Sequence, residues 1–88
     1  MAILWDPDAA DELEELPEEY RQAARNAVTQ YINQELSEWE DGKSGARSVE
    51  FKPDGSDESW RLDIEVMKNM DSDYVIEKLT IVPTPETL

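Results

Sequence analysis

The hydrophobic period changes once along this chain of 88 residues, across the loop Asp41-Gly42-Lys43-Ser44-Gly45. Before the loop, apolar residues return at helical spacing. Ala9, Leu13 and Leu16 form one stripe, and Tyr20, Ala24, Ala27 and Tyr31, joined by Val28, Ile32 and Leu36, form a second. After it, Trp60, Leu62, Ile64 and Val66 alternate with Arg61, Asp63 and Glu65. A period of about 3.6 residues marks an amphipathic helix, and strict alternation marks a half-buried strand. A chain that keeps its helices in one half and its strands in the other points to an α+β domain rather than a bundle, a sandwich or a doubly wound sheet.

Local signals divide each half. Met1–Trp5 reads as an opening strand, closed by Asp6-Pro7. Asp6 suits an N-cap and Pro7 the first helical position, where its missing N–H costs nothing. The first helix ends at Leu16, because a residue before proline is pushed out of the α region. Pro17 opens a second helix of about 20 residues that the stripe carries to Ser37–Glu40. Arg47–Phe51 reads as a strand, residues 52–57 as a turn rich in Pro, Asp and Gly, and Trp60–Val66 as the clearest strand. Met67–Asp73 reads as a loop and Tyr74–Val82 as the last strand. In that strand Val75, Leu79 and Ile81 fall on one side and Ile76 and Val82 on the other, so it is either covered on both faces or bulged. The expected order is β-α-α-β-β-β: a single domain over residues 1–83, with a helical hairpin on a small antiparallel sheet, and a mobile tail at 84–88.

Composition then limits the chemistry. There are 22 acids against 8 bases, a formal net charge of −14, with no histidine and no cysteine. Disulfides, thiolate metal sites and cysteine nucleophiles are excluded, as is a Ser–His–Asp relay. A zinc site would have to be all carboxylate, and no metal or other cofactor is expected. No apolar run is long enough to span a membrane, and the N-terminus lacks a cationic start before a long apolar stretch, so a cytoplasmic location is expected. Residues 1–41 hold 12 acids and 2 bases, whereas residues 42–88 hold 10 acids and 6 bases. Such acidity disfavours nucleic acid, whose binding rests on Lys and Arg. It fits solubility or high-salt adaptation, or a surface that meets a basic protein.

The opening segment Trp5-Asp-Pro-Asp-Ala9-Ala-Asp-Glu-Leu13-Glu-Glu-Leu16-Pro17-Glu-Glu-Tyr20-Arg21 resembles the start of RelE/ParE-type toxins, where a strand ending near an aromatic precedes spaced Ala, Leu and Leu-Pro. Trp60-Arg61-Leu62 and Tyr74-Val75-Ile76 stand where that family has a Tyr-Arg-Leu strand and its Val- and Ile-rich partner. The resemblance implies a ribosome-dependent mRNA endonuclease with basic residues on the sheet. Arg61 carries over by motif and Lys52 more loosely, while Glu65 and Glu77 occupy the neighbourhood of a further family arginine. More narrowly, Trp5, Ala9, Leu13, Pro17, Arg21, Arg25 and Tyr31 resemble a small helical domain of light-independent protochlorophyllide reductase, which implies an accessory role beside that enzyme.

The remaining constellations each have two readings. Arg47, Lys52, Arg61 and Lys78 either converge as a basic patch or pair across strands with Glu50, Asp63, Glu65 and Glu77. Asp71-Ser72-Asp73 and Asp54-Gly55-Ser56-Asp57-Glu58 lack the full ligand series of a calcium loop and read as turns. Glu12, Glu15 and Glu19 lie on the solvent side of the helices; Glu15 and Glu19 are candidates for contact with a partner. Trp39, between Glu38 and Glu40, is either an exposed anchor for that partner or a cover over the sheet edge. The reading favoured by the residues themselves is a non-enzymatic protein-binding or regulatory domain whose partner is a protein, with a basic protein the candidate its charge suits.

Overall fold

A computed structural model describes residues 2–53 and 59–83. The order is β1 (Ile3–Trp5), α1 (Pro7–Glu14), α2 (Glu18–Glu35), β2 (Ser44–Phe51), β3 (Trp60–Lys68) and β4 (Tyr74–Pro83). The expected α+β order of elements is therefore present. The four strands form one sheet in the order β1-β4-β3-β2. It is mixed rather than wholly antiparallel, since β1 runs parallel to β4 while β3 is antiparallel to both of its neighbours. The helical hairpin causes this: it carries the chain away from β1 and returns it to the far edge of the sheet. The turn expected at 54–57 and the tail expected at 84–88 lie outside the described residues.

Helix boundaries follow from competing hydrogen bonds. Pro7 occupies the first helical position, and Asp6 precedes it in extended geometry without a side-chain cap bond. At the far end of α1 the Arg21 side chain donates to the Leu16 carbonyl at 2.8 Å and to the Glu14 carbonyl at 2.9 Å. A cation there satisfies orphan carbonyls and suits the negative end of the helix dipole. α2 stops at Glu35, short of the expected Ser37–Glu40. The Leu36 carbonyl accepts the Trp39 N–H at 3.1 Å and the buried Tyr74 hydroxyl, which occupies the position a further helical bond would need.

One face of the sheet meets the helices. Val49, Phe51, Leu62, Ile64, Val66, Tyr74, Ile76 and Leu79 pack beneath Ala9, Leu13, Ala24, Val28, Ile32 and Leu36, all of them buried. Each fully buried Leu, Ile or Val contributes about 1.5–3 kcal/mol of transfer free energy, so this layer dominates the stability. α1 lies on β4 and α2 on β2.

The irregular pattern of the last strand is a bulge. Glu65 pairs with Lys78 but Val66 pairs with Ile76, leaving Glu77 as the extra residue. The insertion shifts the alternation by one, so that Tyr74 and Ile76 before it and Leu79 after it all face the helices. β2 begins three residues earlier than expected, taking in Ser44 and Gly45. A Cβ on Gly45 would sit 3.1 Å from Arg47 Nη1 and 3.5 Å from Trp39 Cη2, so the strand accommodates these two side chains at a residue without one. Gly42 has φ +91°, a turn conformation that only glycine adopts without strain.

Candidate functional site

Among the described residues no helix covers the opposite face of the sheet, and the register orders its side chains in rows. Glu50, Arg61 and Val82 form one; Ser48, Asp63 and Thr80 the next; Ala46, Glu65 and Lys78 a third. Beyond the bulge, Ser44, Met67, Val75 and Leu4 form an apolar end, with Leu4 exposed. Small residues in the middle rows leave a shallow depression of about 640 Å³ around Asp63, flanked by Arg61 and Lys78.

This is where the basic patch expected from the sequence would form, and the cations there are paired. Arg61 Nε lies 3.0 Å from Asp63 Oδ1, and Lys78 Nζ lies 3.9 Å from Glu65 Oε2. Ser48 also donates to Asp63 at 2.8 Å. Lys52 is exposed just past the end of β2 and does not line the depression. Arg47 turns its guanidinium to the other face, over the Trp39 ring at 5.2 Å. The four bases thus divide between two faces of the sheet.

Trp39 is not an exposed anchor. It is 8% exposed, with Lys43 5.4 Å above its ring in addition to Arg47. Of its two readings, the cover over the sheet edge is the one realised: the chain turns back after Leu36 and lays the indole over Gly45, covering the start of β2. Lys68 completes a clasp there: its Nζ donates to the Trp39 carbonyl at 2.7 Å and lies 5.4 Å over the Tyr74 ring.

Glu15 and Glu19 are exposed around the turn between α1 and α2, with Asp8, Asp11, Glu14 and Glu18 also exposed on the helical layer. Among the described residues no charged side chain is buried and no group of three or more acids is placed to hold a metal ion. Asp71-Ser72-Asp73 is turn chemistry: Asn69 Oδ1 accepts the N–H of Asp71 at 2.9 Å and of Asp73 at 3.0 Å, and Ser72 takes a positive φ of 66°. The Asp54–Glu58 segment lies outside the described residues.

A groove that the sequence did not single out runs between α2 and β2. It measures about 420 Å³ and is lined by Ala27, Gln30, Tyr31 and Gln34 from the helix and by Ser48, Val49 and Glu50 from the strand. Nothing in the local pattern of 44–51 distinguishes an edge strand from an inner one. Only the order β1-β4-β3-β2, a long-range property, leaves this side of β2 without a partner strand among the described residues. No family model, curated protein or solved structure matches the chain.

Proposed function

We propose that this chain is a non-enzymatic binding domain for a basic protein, drawn in by the acidic helical layer. The observation that carries the reading is the distribution of charge. Of the two bases in residues 1–41, Arg21 is engaged by the carbonyls of Glu14 and Leu16, while the acids around it are exposed. Such a surface accelerates encounter with a cationic partner and suppresses acidic ones. The exposed setting of the described carboxylates also favours binding over acid–base chemistry, which needs carboxyl groups set apart by desolvation and neighbours. Pull-downs with the intact chain at low and high salt test this reading. Proteins of high isoelectric point enriched at low salt and released at high salt support it; no such enrichment refutes it.

A second reading, the ribosome-dependent mRNA endonuclease implied by the RelE/ParE resemblance, has one observation in its favour. Arg61 and Lys78 flank a shallow depression of about 640 Å³ on the open face of the sheet. Against it, Asp63 and Glu65 already compensate those cations, so phosphate would meet a nearly neutral patch. Induced expression separates the two readings. Growth arrest with mRNA cleavage that disappears in Arg61→Ala would replace the binding reading with this one.

A further inference from the structure

We propose that the second half of β2 accepts one extended segment of a basic partner protein as a fifth strand, with the segment's apolar side chains entering the groove against α2. The proposal rests on the protein-binding reading above and names the surface on which the partner is held.

An edge strand offers a row of unpaired backbone donors and acceptors, and proteins usually guard it with charge, proline, a bulge or a cover. β2 is an edge strand eight residues long, and its guard is partial. Arg47, supported on Trp39, places Nη1 on the Ala46 carbonyl at 2.7 Å, while Trp39 lies over Gly45. Together they close the first half of the strand. From Ser48 onward no side chain plays that part among the described residues, and the groove begins there. Its floor is the side chain of Val49, 4% exposed, beside the half-buried Ala27 and Tyr31. Gln30 and Gln34 stand along the helical wall, and their side-chain amides can both donate and accept. A strand laid here would put alternate side chains over Val49, Ala27 and Tyr31 between the polar walls of the groove and the others toward Glu50, an arrangement suited to strand addition. Ser48–Phe51 spans about 13 Å, room for a segment of about four residues.

Charge selects the occupant. Pairing β2 with β2 of a second copy would bring together two chains of net charge −14. A cationic segment meets no such repulsion and gains from the same field that draws it in.

The test uses the intact chain, labelled with ¹⁵N, and an end-capped octapeptide that alternates lysine and valine. At low salt the peptide is expected to slow amide exchange at Ser48 and Glu50, whose N–H groups face the open edge, to leave Val49 and Phe51, which face β3, little changed, and to shift the resonances of Ala27 and Tyr31. N-methylating alternate peptide residues removes the donors that a ladder needs and should weaken binding about tenfold or more. Ala27→Arg, which fills the groove with a like charge, should do the same; Gln34→Arg replaces it if that variant does not fold. Equal binding by the methylated peptide, with shifts confined to acidic residues of α1 and α2, overturns strand addition and leaves the protein-binding reading standing. Absence of peptide binding at low salt also overturns it, and the pull-down then decides the wider reading separately. Concentration-dependent dimerisation with protection of the same β2 amides assigns the edge to a second copy and overturns it too.

Discussion

Replacing Tyr74 by phenylalanine removes one hydroxyl and leaves the ring, at a point where α2, β4 and the Trp39 segment meet. Tyr74 is completely buried, and its hydroxyl donates to the Leu36 carbonyl. A neutral hydrogen bond of this kind contributes about 0.5–1.5 kcal/mol net, whereas a buried carbonyl left with no partner costs about 1–3 kcal/mol. The geometry decides between these ranges, because the Leu36 carbonyl also accepts the Trp39 N–H at 3.1 Å and keeps that donor in the variant. Tyr74→Phe should therefore cost about 1 kcal/mol, which corresponds to a fall in melting temperature of about 4–8 °C for a domain of this size. Tyr74→Ala removes the ring as well, along with its contact beneath Lys68, and should cost about 3–5 kcal/mol. Urea unfolding followed by tryptophan fluorescence measures both, with Trp39 reporting from inside the same clasp. A loss above about 2 kcal/mol for Tyr74→Phe would refute the claim that Trp39 keeps the carbonyl satisfied. A loss within error would refute the hydroxyl's role in ending α2.

Deleting Glu77 should abolish cooperative unfolding, because the strand would lose the residue that keeps Tyr74, Ile76 and Leu79 on one face. Glu77→Ala, which keeps the bulge and changes only an exposed side chain, should stay within about 0.5 kcal/mol of the parent; circular dichroism melts distinguish the two. Gly45→Val should destabilise by about 1–3 kcal/mol in urea titrations, since its methyl groups would displace Arg47 and the Trp39 indole, while Gly45→Ala displaces only the flexible end of Arg47 and should cost less. Thermal stability should rise as sodium chloride goes from about 0.01 M to about 1 M, because screening relieves the repulsion of a −14 chain by more than it weakens three described ion pairs. A melting temperature that falls with salt would show those pairs to matter more than the net charge.

What could be read from the sequence was set by local physics. The stripe Ala9 and Leu13, the break at Pro17 and the alternation over Trp60–Val66 each rest on local spacing, and each reappears in the fold; α1 ends at Glu14 rather than Leu16, which is buried just past it. The broken alternation after Tyr74 offered a bulge as one of two explanations, the other being cover on both faces, but not the position of the extra residue. Features that depend on residues far apart were hidden. Helix α2 does not run on to Glu40, whose N–H would need the Leu36 carbonyl, because Trp39 and Tyr74, the latter 38 positions away, hold that carbonyl. The sequence left Trp39 between an exposed anchor and a cover over the sheet edge, and only the fold-back over Gly45 decides for the cover. The parallel pairing of β1 and the open edge of β2 are properties of strand order, so the groove beside Ser48 and Val49 had no signature in the sequence. The division of Arg47 from Arg61 and Lys78 was within reach, since residues 47, 49 and 51 share one strand face, but it required knowing which face the helices cover.

Strand order also has a consequence in time. β4 lies between β1 and β3 and beneath α1, yet it is the last of the four strands to be synthesised. Until Tyr74–Pro83 emerges, β1 has no neighbour to pair with, and α1 has no surface on which to bury Leu13. Closing the parallel register of Ile3 with Tyr74 brings together residues 71 positions apart, a slow non-local step. On the ribosome, then, the helices and the β2–β3 hairpin wait as exposed pieces, and the strongly repulsive charge of the helical segment helps keep them apart from other nascent chains. The last of the four strands to emerge is the one that joins β1, α1 and the β2–β3 hairpin together.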